Sequence, residues 1–309
     1  MKTDPLILNT TDGTPIAVNR YFPDDSSKLR AIVQIVHGMS EHADRYHEFA
    51  EVLSGNDFAV YANHHRGHGK TAGSLENTGY FADSNGWDRV VEDMHQLTQI
   101  IIENHPDTPI FLFGHSMGSL LARDYIARFG GTIRGVILSS TAGGLGIMGA
   151  IGVLIARLVV AIKGKKHRSK LLNHLSFGSF NQAFKPNRTP FDWLSRDNNE
   201  VDQYISDPYC GGIFTAKGFD DLIAGTQKVS AFKFINQIPK DLPALFLCGT
   251  HDPVGKNAKG VRKIYEKFVK AGIKDLNYIS YPNSRHELLH ETNREVVYED
   301  ILMWLVRRC

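Results

Sequence analysis

The chain has 309 residues, 42% hydrophobic and 22% charged, with a formal net charge of +2. That is the composition of an ordinary soluble globular protein, and the near-neutral balance excludes the broad basic field of a nucleic-acid binder. The length permits one large domain with an inserted subdomain, or two smaller ones.

Cys210, Cys248 and Cys309 are far apart, odd in number and without metal-ligand spacing. They are expected as free thiols of a reducing compartment, with Cys248 buried in an apolar run. The first residues, MKTDPLILNTTDGTPIAV, contain no apolar stretch of signal-peptide kind before their turn residues. A cytoplasmic location is therefore expected.

In chain order, LILNT and PIAVNRYF flank TDGT, whose Asp-Gly pair predicts a hairpin. AIVQIVHGM is a short β-branched run ending in His37-Gly38. RYHEFAEVLSGN has helical spacing and a glycine stop. DFAVYAN reads as a strand, and GWDRVVEDMHQLTQIIIENHP as a long amphipathic helix ended by Pro106. PIFLFGHS is a strand, MGSLLARDYIARFG a helix closing at Gly130, and IRGVILSS a strand. After an irregular stretch, LPALFLCG, GVRKIYEKFVKAG, DLNYISYP and NREVVYEDILMWLVRR alternate strand, helix, strand, helix. Short continuous apolar strands alternating with helices predict an α/β fold: a mostly parallel sheet flanked by helices. Such sheets carry function at the carboxyl ends of their strands.

Residues 143–215 break this rhythm. The expected organisation is therefore a first core part over 1–142, an inserted helical cap over 143–215 and a second core part over 216–309. Ala142 to Ile162 carries one charge, Arg157, over about the length of a membrane helix. It is glycine-rich and lies inside an alternating pattern whose two halves must meet, which speaks against a span. A lid helix turning its apolar face toward a substrate tunnel is expected. A lid that also dips into a membrane surface stays open, with Lys163, Lys165, Lys166 and Arg168 suited to anionic headgroups. A solvated helix end explains the same charges without lipid.

The densest chemistry lies in FLFGHSMGS. Gly-x-Ser-x-Gly between a strand and a helix is a nucleophile elbow. The serine sits on a strained turn that leaves no room for neighbouring side chains, which accounts for Gly114 and Gly118. Ser116 is the candidate nucleophile. An alkyl hydroxyl needs a base, itself oriented by an acid. With the chain order serine, acid, histidine, the acid is expected at Asp252, just after the strand in LPALFLCGTHDPVG. The base is expected at His286, after the next strand. His290, one turn on, is a weaker base, and Asp220, Asp221 and Asp241 are weaker acids because none follows a strand. The oxyanion hole needs two backbone N–H groups. Met117, after the nucleophile, and Met39, after the turn at Gly38, are the candidates. NHHRGHGKT lacks the lysine and helix spacing of a phosphate-binding loop. It is expected as a tight turn bracing the oxyanion loop.

With these residues in view, the chain resembles the α/β-hydrolase superfamily, and within it the monoacylglycerol lipase and lysophospholipase-like group. HGMSEHADRYHEFA, RGHGKT, GHSMGS, GTHDPV and RHELLHE are each similar to a segment of that group, in the same order. The resemblance implies that Glu41 and Arg45 support the oxyanion loop. It also implies that the insertion is a cap shaping an acyl pocket, with a lid helix that can contact membranes. There are two departures: His64 stands where the group usually has aspartate, and Ser119 where it often has glycine. The expected activity is a serine carboxylic-ester hydrolase acting through an acyl-enzyme on a lipid ester, a monoacylglycerol or lysophospholipid. No metal, cofactor or nucleic acid is implied. A small-ester, thioester or peptide-type hydrolase of the same fold is the alternative. Ser116 excludes epoxide and haloalkane hydrolases, which need aspartate at the elbow. A non-catalytic binding protein on the same scaffold is the rival of another class.

Overall fold

The structure, a computed structural model, describes residues 1–309, the side chain of Ser26 aside. Nine strands form one sheet: β1 (Lys2–Thr3), β2 (Leu6–Asn9), β3 (Pro15–Phe22), β4 (Ala31–Val36), β5 (Phe58–Asn63), β6 (Ile110–His115), β7 (Gly135–Ser139), β8 (Ala244–Gly249) and β9 (Leu276–Tyr281). The order is β1-β3-β5-β4-β6-β7-β8-β9, with β2 paired to β3. The hairpin forms at its predicted place, Leu6 facing Val18 and Asn9 facing Pro15, antiparallel. From β5 across to β9 every pairing is parallel. The parallel strands β4 to β8 are buried on both faces. That is why their sequences are continuous apolar runs without alternation.

The helices in chain order are α1 (His47–Ser54), α2 (Gly69–Ala72), α3 (Gly86–Asn104), α4 (Met117–Phe129), α5 (Gly146–Lys163), α6 (Lys170–Phe177), α7 (Asn198–Ser206), α8 (Ala216–Ser230), α9 (Phe232–Ile235), α10 (Lys259–Lys270) and α11 (Arg294–Val306). Successive side chains along a strand point to opposite faces, so the sheet separates two cores. On one face Val33, Phe111 and Phe113 meet Phe49 of α1 and Ile301 and Trp304 of α11. On the other, Ile32, Leu112 and Val136 meet Met94 of α3, Tyr125 of α4 and Phe268 of α10.

Five helices, α5 to α9, lie between β7 and β8. α8 belongs with the second core: Phe219 is fully buried, and a side chain at Gly225 would run into Trp87 of α3 at 2.2 Å. α5 rests on α8 through its small residues. A Cβ at Gly149 would strike Gln227 at 2.4 Å, and Gly152 lies over Ile223. The opposite face of α5 is bare, with Ile147 82%, Leu154 60%, Leu158 52% and Ile162 74% exposed.

Candidate active site

The site is assembled at the carboxyl ends of the central strands. β6 ends at His115, and α4 starts at Met117. Between them Ser116 adopts φ 52°, ψ −119°, a strained conformation for a residue with a side chain. The turn is tight. A Cβ on Gly118 would lie 1.9 Å from the Val36 carbonyl oxygen, and one on Gly114 would lie 2.6 Å from the Gly118 carbonyl oxygen. The elbow thus depends on both glycines, as the motif predicts.

Ser116, Asp252 and His286, 170 positions apart at most, come together here. His286 Nε2 lies 2.8 Å from Ser116 Oγ, and His286 Nδ1 lies 3.0 Å from Asp252 Oδ1. With the Nδ1–H donating to the carboxylate, the lone pair on Nε2 is free to accept the serine proton. Asp252 is fully buried and also accepts the Val254 N–H at 2.9 Å. Ser140 Oγ donates to the His286 carbonyl at 2.6 Å, fixing the loop. Burial alone would lower the His286 pKa. The Asp252 carboxylate, with help from Glu287 and Glu41, outweighs it and holds the imidazole above its ordinary value.

Neither the Met39 nor the Met117 N–H has a hydrogen-bond acceptor among the described residues. The neighbouring Gly38 N–H is taken: it donates to Glu41 Oε1. Glu41 also accepts from Tyr46 Oη at 2.9 Å and from Arg45 at 2.9 Å. Arg45 in turn forks onto Glu287 at 2.6 and 2.8 Å. The loop carrying Met39 and the loop carrying His286 are thereby joined through one nearly buried guanidinium. The Gly-His-Gly turn braces the same loop from below. The His65 N–H donates to His37 Nε2 at 3.0 Å, and the Ser40 N–H to His68 Nε2 at 3.4 Å. Burial, with the neighbouring histidines, lowers the pKa of His37 and His65 well below the ordinary value, and burial lowers His68 to about 4.

The rival residues lie elsewhere. His290 Nε2 is held by the Arg45 carbonyl at 3.0 Å. Asp220 and Asp221 hold Lys217, and Asp241 pairs with Lys274. Two contributors carried no sequence signal. Glu287 was silent because its partner Arg45 is 242 positions away. Trp193 lies with its ring 5.1 Å from that of His286. Its segment is fastened to the histidine loop, the Glu287 N–H donating to the Leu194 carbonyl at 2.8 Å.

Ser116 and His286 line a cavity of about 430 Å³ with Met39, Phe177, Phe191, Trp193 and Val254. The expected apolar tunnel wall from the start of the insertion is corrected here. No residue of α5 lines this cavity; α6 and the 190–194 segment do. α5 has already committed its small-residue face to α8, so its large apolar side chains point outward.

An α/β-hydrolase sheet with a strained serine elbow defines a class of enzyme, and the comparisons place the chain within it. The family described as serine aminopeptidase, S33 matches residues 27–293, and the chain belongs to that family. It is a hydrolase of the lipase and esterase kind, a carboxylic ester hydrolase. It is 29% identical to the human monoglyceride lipase over 98% of this chain and 90% of that one. It is 27% identical to the monoacylglycerol lipase of Mycolicibacterium smegmatis, over 95% and 94%. Among solved structures it is similar to a thermostable carboxyl esterase from Bacillus coagulans in complex with glycerol, with a TM-score of 0.90, 29% identity and coverage of 100% and 99%.

Proposed function

We propose that the enzyme hydrolyses lipid esters bearing one acyl chain, monoacylglycerols or lysophospholipids, through a Ser116-His286-Asp252 triad. Ser116 Oγ attacks the ester carbonyl while His286 Nε2 takes its proton. Asp252 keeps the imidazole in the required tautomer and stabilises its charged form. The Met39 and Met117 N–H groups hold the oxyanion, aided by the N-terminal dipole of α4. The alcohol leaves with the proton from His286, and water, activated by the same base, releases the acid.

The observation that carries this proposal is the 2.8 Å contact between Ser116 Oγ and His286 Nε2 on the wall of an aromatic-lined cavity. A volume of about 430 Å³ is at the small end for ligand pockets, suiting one chain better than three. The bound glycerol of the Bacillus coagulans esterase supports a glycerol-type alcohol. A peptide with a free amino terminus is disfavoured. The acids lining the cavity, Glu41 and Glu287, are both already engaged by Arg45. We take residues 143–215 as the cap and the bare face of α5 as its contact with a membrane surface. α5 is apolar over 18 residues with little of it buried; exposed Lys163 ends it, and exposed Lys165 and Lys166 follow.

The test is hydrolysis of mono-, di- and triacylglycerols and a lysophospholipid, beside a p-nitrophenyl ester series from acetate to palmitate, with Ser116→Ala alongside. Preference for the monoacyl lipids, lost in the variant, is expected. Activity confined to acetate, or a folded but inert wild type, overturns the proposal.

A further inference from the structure

His64 is where the sequence breaks from the motif it otherwise resembles, and the structure puts that histidine in unusual company. His64 follows β5, while His42 and Asp44 follow Glu41 on the oxyanion loop. The two imidazoles lie nearly parallel, 5.9 Å apart with 15° between planes. His64 Nε2 lies 3.7 Å from Asp44 Oδ1, and His42 Nδ1 lies 3.6 Å from Asp44 Oδ2. The three ligand atoms are all within 4.8 Å of one another.

Both of those nitrogens are buried, and neither has a hydrogen-bond partner. His64 is fully buried and His42 is 6% exposed. An unmet buried polar atom costs stability, and here two such atoms face one carboxylate. A hydrogen bond does not explain the arrangement, since both separations exceed hydrogen-bond length. We propose that His42, Asp44 and His64 bind a divalent transition-metal ion, with zinc(II) the best match to two imidazoles and a carboxylate.

The dimensions suit it. A tetrahedral ion with bonds of roughly 2.0–2.1 Å holds its donors roughly 3.3 Å apart; the two imidazole–carboxylate separations, 3.6 and 3.7 Å, are a few tenths of an ångström longer, and all three donors lie within 4.8 Å of one another. The supporting shell is built. His42 donates its other ring proton, on Nε2, to Asp207 Oδ2 at 2.8 Å, which leaves Nδ1 as a lone-pair donor. Asn19 Nδ2 holds Asp44 Oδ1 at 2.8 Å. Ligation through Nε2 moves the ring proton of His64 to Nδ1 and gives up only the long 3.3 Å contact from the Lys70 N–H.

Lys70 Nζ, 2.7 Å from Asp44 Oδ1, is the cation an incoming ion must displace. Its side chain is 58% exposed and is free to turn into solvent, while Asp44, 41% exposed, supplies the entry path. The alternative set of His42, Asp207 and Cys210 is poorer. Asp207 already satisfies Nε2, and burial pushes the Cys210 thiol up, away from the thiolate that would ligate. Bound metal would tie the oxyanion loop to the turn after β5 without touching the reacting atoms.

The experiment titrates chelator-treated full-length protein with Zn²⁺, followed by metal content, by melting temperature, and by the visible absorption of the Co²⁺ form. One ion per chain, a rise of several degrees in Tm and the intense spectrum of four-coordinate Co²⁺ are expected. His64→Gln and Asp44→Asn should each weaken binding about tenfold or more. Lys70→Met should tighten it, a result that does not depend on the first two variants folding. No stoichiometric binding, or the same affinity in all three variants, overturns the site.

Discussion

Arg45 and Glu287 form a two-pronged ion pair at 2.6 and 2.8 Å, and Glu287 is the residue after His286. Through this pair the loop carrying Met39 is tied to the loop carrying His286. Arg45 is 10% exposed and its two acids 3% and 5%. Arg45→Met would leave two buried carboxylates without a cation, a change that costs about 3–5 kcal/mol. The sign with pH follows. In the native protein burial would raise the Glu287 pKa, but Arg45 outweighs it and holds it well below the ordinary value. That stabilisation is present above the unfolded carboxylate value and lost as pH falls. In Arg45→Met it is missing, so the deficit in a denaturant melt should hold from neutrality down to the ordinary carboxylate value of about 4.5 and shrink only below it.

The proposed triad predicts its own pH profile. The base form of His286 is neutral, and its pKa is raised. kcat/KM should therefore climb with pH through a midpoint above the ordinary histidine value of about 6.5. Asp252→Asn should move that midpoint down and cut kcat by roughly 10⁴-fold through the wrong tautomer. A profile unchanged by Asp252→Asn would exclude this residue as the partner of His286.

The elbow makes a steric prediction. Gly118→Ala would drive a methyl to 1.9 Å from the Val36 carbonyl oxygen. Overpacking against backbone should cost about 3 kcal/mol or more. Gly131→Ala, where nothing lies within 4 Å, is the control and should be neutral or slightly stabilising.

Trp193 lines the cavity and lies against His286. Aromatic contacts of this kind are worth about 0.5–1.5 kcal/mol beyond their buried area. Trp193→Ala should lower kcat/KM for long-chain esters by about tenfold, and for acetate much less. Equal losses at every chain length would show that the ring positions His286 and leaves the acyl chain untouched.

Membrane contact through α5 is tested by substituting Ile147, Leu154 and Leu158 with serine together. These side chains are exposed and line no part of the cavity. Flotation with phospholipid vesicles should be lost, while hydrolysis of water-soluble p-nitrophenyl acetate persists. Flotation that survives the triple substitution would place the contact elsewhere.

By itself the sequence determined the alternation of strands and helices, because buried parallel strands must be continuous apolar runs and their crossover helices amphipathic. It also determined the identities of Ser116, Asp252 and His286 as candidates. Each stands in the segment that follows a strand, at the edge where a parallel sheet presents side chains to a ligand. The elbow glycines were legible too, since a turn that crosses the Val36 carbonyl this closely tolerates no side chain. Tertiary structure alone decided what lies between distant segments. Arg45 with Glu287, Trp193 with His286, and His42 with His64 are pairings that no local periodicity encodes. It also decided which way α5 faces. An apolar helix reads the same whether its large residues line a tunnel or meet solvent. Here the small residues Gly149, Gly152 and Ala156 pack inward on α8, and close helix contact favours that face over the bulky one.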